Sequence, residues 1–154
     1  NYKKFQKINC SVVVMAGGKG ARMKPYTEIL PKPLLPIGNK SVIRHILENF
    51  NLYKPKNFYI SVNYKSGILK TYLNEIKKKF KINLINEKKP LGTAGSLFFL
   101  KNKIKGNFFL TNCDTIINSN YHNILYNTLF GIGMTPLLVS SPLNFDGDIR
   151  SLVL

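Results

Sequence analysis

The chain has 154 residues, 44% of them hydrophobic, enough for one domain with a single buried core and too apolar for a disordered tail. Its longest apolar runs, Val12 to Ala16 and Leu97 to Leu100, fall far short of the roughly 20 residues a membrane helix needs, and the first ten residues carry no signal-peptide pattern, so a cytoplasmic protein is expected. The net charge of +16, from 23 Lys+Arg against 7 Asp+Glu, invites a polyanionic partner, but the lysines are scattered in ones and threes, which disfavours nucleic acid and leaves a basic field suited to steering small anions.

Asn1 to Asn9 is polar and basic, and residues 1–10 read as a linker or tail ahead of a domain that runs from 11 to 154. Ser11 to Met15 is a β-branched run ending in glycines, the pattern of a buried parallel strand followed by a loop. Ser41 to Tyr53 spaces Val42, Ile43, Ile46, Leu47 and Phe50 for one helix face, with Ser41 as the expected N-cap. Strands are predicted at Asn57 to Asn63, Ile82 to Asn86, Asn107 to Cys113 and Pro136 to Ser141, and helices at Ser66 to Phe80, Thr93 to Lys103 and Asn120 to Tyr126. Asp146-Gly147 reads as a hairpin turn. The alternation predicts an α/β fold, a mainly parallel sheet covered on both sides, with its ligand beyond the carboxyl ends of the strands.

Three segments occupy those ends: the glycine loop after Met15, the segment after Asn86 and the acid after Cys113. The first, Ala16-Gly17-Gly18-Lys19-Gly20-Ala21-Arg22, brings small residues that let backbone N–H groups approach phosphate and a basic side chain to neutralise it. It fits neither the dinucleotide fingerprint nor a P-loop, and taken alone it also suits a tight strand–helix turn. A separate motif, Pro31-Lys32-Pro33-Leu34-Leu35-Pro36-Ile37, places three prolines within six residues, which bars a regular helix and presents Lys32 from a stiff loop. An ordinary solvated lysine on a proline-rich connection remains open there. The third is Asp114, at the end of a predicted strand. Cys10 and Cys113 lack CxxC spacing and read as buried reduced thiols, and His45 and His122 have no partner at ligand spacing.

Ala16 to Arg22 with Pro25 and Thr27, Pro31 to Ile37, Pro90-Leu91-Gly92-Thr93-Ala94-Gly95 and Asn112-Cys113-Asp114 stand in the order and spacing of the sugar-1-phosphate nucleotidyltransferase family. Over Val12 to Thr115 the chain most resembles guanylyltransferases of the mannose-1-phosphate type and relatives with an upstream regulatory CBS module. The resemblance implies a Rossmann-like three-layer fold, here a truncated nucleotide-diphospho-sugar transferase domain. It implies that Ala16, Gly17, Gly18, Gly20, Glu87, Pro90, Gly92 and Thr93 bind an NTP, that Arg22 stabilises departing pyrophosphate, that Lys32 holds the two substrates' phosphates together, and that Asp114 ligates Mg²⁺. The second substrate is a sugar-1-phosphate. Glu87 matches the position that reaches the base edge, and a carboxylate complements the paired donors of guanine, which favours GTP.

Two departures stand out. Ala21 replaces a family Thr or Ser, and neither Asp146 nor Asp148 matches the second metal-binding Asp of the family, so the sugar site is expected to be absent or incomplete. Two other readings are a non-catalytic regulatory or assembly domain of the same fold, like the nucleotidyltransferase-like subunits of translation initiation exchange factors, and a basic RNA-binding domain without base-stacking aromatics. A homo-oligomer or a covalently linked regulatory domain suits the enzyme reading.

Overall fold

The computed structural model describes residues 5–89, 95–116, 120–124 and 138–139. Four strands, β1 (Ser11–Met15), β4 (Phe58–Val62), β5 (Ile82–Asn86) and β6 (Phe108–Asn112), run parallel in one sheet, and β7 (Leu138–Val139) pairs antiparallel with β6. The sheet order is β5-β4-β1-β6-β7, while β2 (Pro36–Ile37) and β3 (Lys40–Ser41) form a separate two-stranded ribbon. From β1 the chain winds outward through β4 to β5, then crosses back to lay β6 on β1's other side. That reversal opens a crevice at the carboxyl ends of β1 and β6, the topological switch point of an open α/β sheet.

Strand alternation divides the core between the two faces. Val12, Val14, Phe58, Ile60, Val62 and Phe109 face α2 (Val42–Asn51) and α3 (Ser66–Ile76), which bury Ile43, Ile46, Leu47, Phe50, Leu69, Leu73 and Ile76. Val13, Met15, Tyr59, Ile85 and Phe108 face Leu97, Leu100 and Ile104 on the opposite side. The three-layer α/β architecture expected from the alternation is therefore present.

The differences from the predicted elements have local causes. Ser41 stands at the N-cap of α2 but makes no cap bond; its hydroxyl donates instead to the Tyr72 hydroxyl of α3 at 2.9 Å, tying the helices together. Within the predicted helix at Thr93 to Lys103, Gly95–Leu100 is a 3-10 helix, whose three-residue period puts Leu97 and Leu100 on one buried side and leaves Phe98 and Phe99 exposed. Ile8 and Cys10, inside the segment read as a linker, are buried, and the Ile8 N–H donates to the Tyr53 carbonyl at 2.8 Å. Residues 121–124 are helical; the rest of the helix predicted to Tyr126, the Asp146-Gly147 turn and Asp148 lie outside the described residues. Among the described residues no helix is long and apolar enough to cross a membrane.

Candidate active site

At the carboxyl end of β1 the chain turns into the glycine loop, and the loop is held from both neighbouring strands. The Ala16 N–H donates to the Ser61 hydroxyl at 3.1 Å and the Cys113 N–H to the Met15 carbonyl at 3.1 Å. Gly18 is exposed, and a Cβ built there would meet nothing within 4 Å, so its backbone faces open space. Gly20 is different. Its φ is +64°, and a Cβ there would come within 2.9 Å of Thr27 Cγ2 and 3.2 Å of Lys32 Cβ, so only glycine lets the loop lie against both.

Beyond Gly20, a 3-10 helix (Ala21–Met23) exposes Arg22, which has no ion-pair partner among the described residues. A second 3-10 helix (Lys32–Leu34) turns on Pro31 and buried Pro33 and directs the half-buried Lys32 side chain to Asp114, just past β6, where the two form an ion pair. The stiff proline segment thus carries its lysine to an acid 82 residues away.

Glu87 follows β5 and is 8% exposed. Its backbone is pinned on both sides: its N–H donates to the Val62 carbonyl at 3.0 Å, and its carbonyl accepts from the Asn63 side-chain amide at 2.7 Å. Its carboxylate oxygens lie 3.3 Å from where a Gly17 Cβ would stand, so this acid leans over the start of the glycine loop. No hydrogen bond or ion pair holds that carboxylate among the described residues. Pro90, Gly92 and Thr93 lie outside the described residues.

Cys10 and Cys113 are buried free thiols. Burial pushes Cys113 up to about 11, with the Asp114 charge adding to the effect and Lys32 opposing it. His45 Nε2 lies 2.9 Å from the Ile37 carbonyl, a bond that ties α2 to the β2–β3 ribbon. Among the described residues no three His, Cys, Asp or Glu side chains gather as a metal cluster. Asp114 brings a carboxylate to the end of β6 and Glu87 another to the start of the glycine loop; a lone carboxylate such as that of Asp114 suits a Mg²⁺ that keeps waters and takes substrate phosphates as its other ligands. Sequence reasoning passed over Ser61, Asn63, Tyr64 and Lys65; polar residues at the carboxyl end of a buried parallel strand were the available signal.

The nucleotidyl transferase family model matches residues 11–128. The bifunctional protein GlmU of Methanococcus maripaludis is 36% identical over 113 residues, 73% of this chain and 26% of that protein. A mannose-1-phosphate guanyltransferase of Neurospora crassa is 36% identical over 107 residues, 66% of this chain and 29% of that protein. HddC from Yersinia pseudotuberculosis, solved in complex with GMP-PN, superposes with a TM-score of 0.69 at 27% identity, covering 78% of this chain and 54% of that one. The chain thus spans under a third of the length of the two sequence relatives.

Proposed function

Because this chain belongs to the nucleotidyl transferase family, we propose that the protein transfers a nucleoside monophosphate from an NTP to a sugar-1-phosphate and releases pyrophosphate. The single observation carrying the reading is the meeting of Lys32 and Asp114 beside the glycine loop at the switch point of the sheet.

A sugar-phosphate oxygen attacks the α-phosphorus while the bond from that phosphorus to the pyrophosphate oxygen breaks. Both reactants are polyanions, so the barrier falls chiefly through positioning and charge neutralisation. The backbone donors of Gly17 to Gly20 cradle the phosphates, the Ala16 N–H being held by Ser61. Lys32 lies between the α-phosphate and the sugar phosphate, and exposed Arg22 takes the departing pyrophosphate. Asp114 would hold Mg²⁺, which would neutralise charge on the phosphate oxygens. With substrates bound, Lys32 exchanges its Asp114 contact for phosphate oxygens.

Glu87 reads the base. Glu87 is largely buried, and its carboxylate, which has no partner among the described residues, can accept side-by-side donors, which guanine offers at N1–H and its amino group and uracil and thymine do not. The name of the Neurospora crassa relative and the GMP-PN bound to HddC support guanine.

The test is calorimetric titration of the intact protein with GTP, UTP, dTTP, CTP and ATP in Mg²⁺, alongside Asp114→Asn and Glu87→Gln, then pyrophosphate exchange with the preferred nucleotide. GTP is expected to bind best, Asp114→Asn to weaken it, and Glu87→Gln to erase about ten-fold or more of the preference. Equal binding of all five nucleotides sinks the guanine assignment. Absence of metal-dependent exchange sinks the enzymatic one and favours a regulatory domain of the same fold.

A further inference from the structure

The segment after the glycine loop has almost no apolar anchorage. Its helix α1 (Tyr26–Ile29) buries only Thr27, while Tyr26 and Ile29 are 68% and 73% exposed. A four-residue helix also leaves its carbonyls without partners in the following turn. Only the Tyr26 carbonyl finds one in the chain's own continuation, the Leu30 N–H at 3.0 Å.

The others are taken by two consecutive residues of the β4–α3 turn. The Tyr64 hydroxyl donates to the Thr27 carbonyl at 3.3 Å, and the Lys65 ammonium donates to the Ile29 carbonyl at 3.1 Å and also to the Glu28 carbonyl. At the other end of the segment the Tyr64 N–H donates to the Gly17 carbonyl at 3.4 Å. Lys65 reaches across from a left-handed backbone, φ +49°, a conformation disfavoured for residues other than glycine. Thr27 relays the contact inward: its hydroxyl donates to the Gly20 carbonyl at 3.0 Å, and Thr27 and Lys32 together fill the space a Gly20 side chain would take.

We infer that Tyr64 and Lys65 form a clamp of positioning residues that fixes the segment from Gly17 to Ile29, and through Thr27 and Gly20 sets the place of the nucleotide's phosphates. The inference rests on the nucleotidyl transfer reading for its functional half. Its structural half stands on the bonds alone. The clamp acts on the NTP, whose phosphates the loop holds, and not on the sugar phosphate.

Two measurements on the intact protein test it. The first is amide hydrogen exchange over residues 17–30 in Tyr64→Phe, Lys65→Met and Lys65→Arg. Exchange is expected to accelerate there in the first two, while β4 and β6 keep their protection, and to return towards the original rate with arginine. Unchanged exchange in both Tyr64→Phe and Lys65→Met overturns the clamp. The second is steady-state kinetics with each substrate varied. KM for the NTP is expected to rise about 3- to 10-fold in Tyr64→Phe and about 10-fold in Lys65→Met, with KM for the sugar phosphate held within about two-fold and rescue by arginine. An equal rise for both substrates with a matching loss of thermal stability overturns the positioning role. If exchange accelerates but the unsubstituted protein transfers no nucleotide, the clamp stands and the enzymatic reading falls.

Discussion

The Lys32 ammonium and the Asp114 carboxylate, 82 residues apart in the chain, form an ion pair at the carboxyl end of β6. Their side chains are 23% and 43% exposed, so water screens the pair and its contribution to stability is expected to stay below about 1 kcal/mol. In the proposed reaction the same two groups face developing charge, where one preorganised contact changes turnover by about 100-fold or more. Lys32→Met and Asp114→Asn should therefore each lower kcat by about 100-fold or more while melting close to the unsubstituted protein. Thermal denaturation beside steady-state kinetics checks both. Full activity in Lys32→Met would remove it from the mechanism.

Two glycines of one loop should answer differently to the same methyl group. Gly20→Ala puts a Cβ on a left-handed residue within 2.9 Å of Thr27 Cγ2, and the backbone conformation alone costs about 1–2 kcal/mol. A lowered melting temperature is expected. Gly18→Ala meets no atom within 4 Å and has no such φ, so the fold should keep its stability. If phosphate lies against the Gly18 backbone, that methyl weakens nucleotide binding. Calorimetry of Gly18→Ala with GTP decides, and undiminished affinity would move the phosphates away from the loop.

Fold and site were legible to different depths. Ser11–Met15 and Ile82–Asn86 have the bounds read from the sequence: the first is a wholly buried β-branched run that ends in glycines, the second a short edge strand that buries only Ile85. The glycine loop and Asp114 were visible as residue types at strand ends, Lys32 as a cation on a proline-stiffened loop, and Glu87 through the family resemblance. That Lys32 reaches Asp114 was not, since the contact depends on β6 crossing to β1's far side. Ser41 carried the usual sign of a cap, yet Tyr72 took its hydroxyl, a contact made by packing two helices whose sequences do not announce each other. Tyr64 and Lys65 fall between the predicted strand and helix and drew no reading, because the carbonyls they satisfy lie 36 or 37 residues away.

The scattered lysines also change meaning in the fold. Among the described residues one precedes β1, two precede β4, four fall in 77–81 before β5 and three in 101–105 before β6, ten in all, every one exposed. All sit at the amino ends of the parallel strands, opposite the crevice. A five-residue strand spans about 16 Å, beyond the roughly 8 Å screening length of physiological salt. This cluster should steer anionic substrate weakly. A triple Lys77→Glu, Lys78→Glu, Lys79→Glu variant is expected to keep kcat/KM for the NTP within about two-fold at 0.15 M salt. Arg22→Met should lower it and flatten its salt dependence. A large loss in the triple variant would make the far end part of substrate capture.

Cys10 gives the last test, a stability that depends on pH with a definite sign. Its side chain is 1% exposed, and burial pushes the thiol from 9.0 up to about 12, the Lys56 charge opposing. In the unfolded chain the thiol ionises above about pH 9, while in the fold it stays protonated, so the unfolded state binds fewer protons and stability falls as pH rises. The contribution is intact below the unfolded value and is lost progressively through the window up to about 12. Each pH unit inside that window is worth at most about 1.4 kcal/mol. Urea unfolding of the intact protein and Cys10→Ala at pH 8, 9 and 10, taken as a difference, reads the thiol's contribution. The stability difference between them should shrink by about 1 kcal/mol from pH 8 to pH 10. A difference that does not change with pH would mean that the Cys10 thiol ionises in the fold as readily as in the unfolded chain.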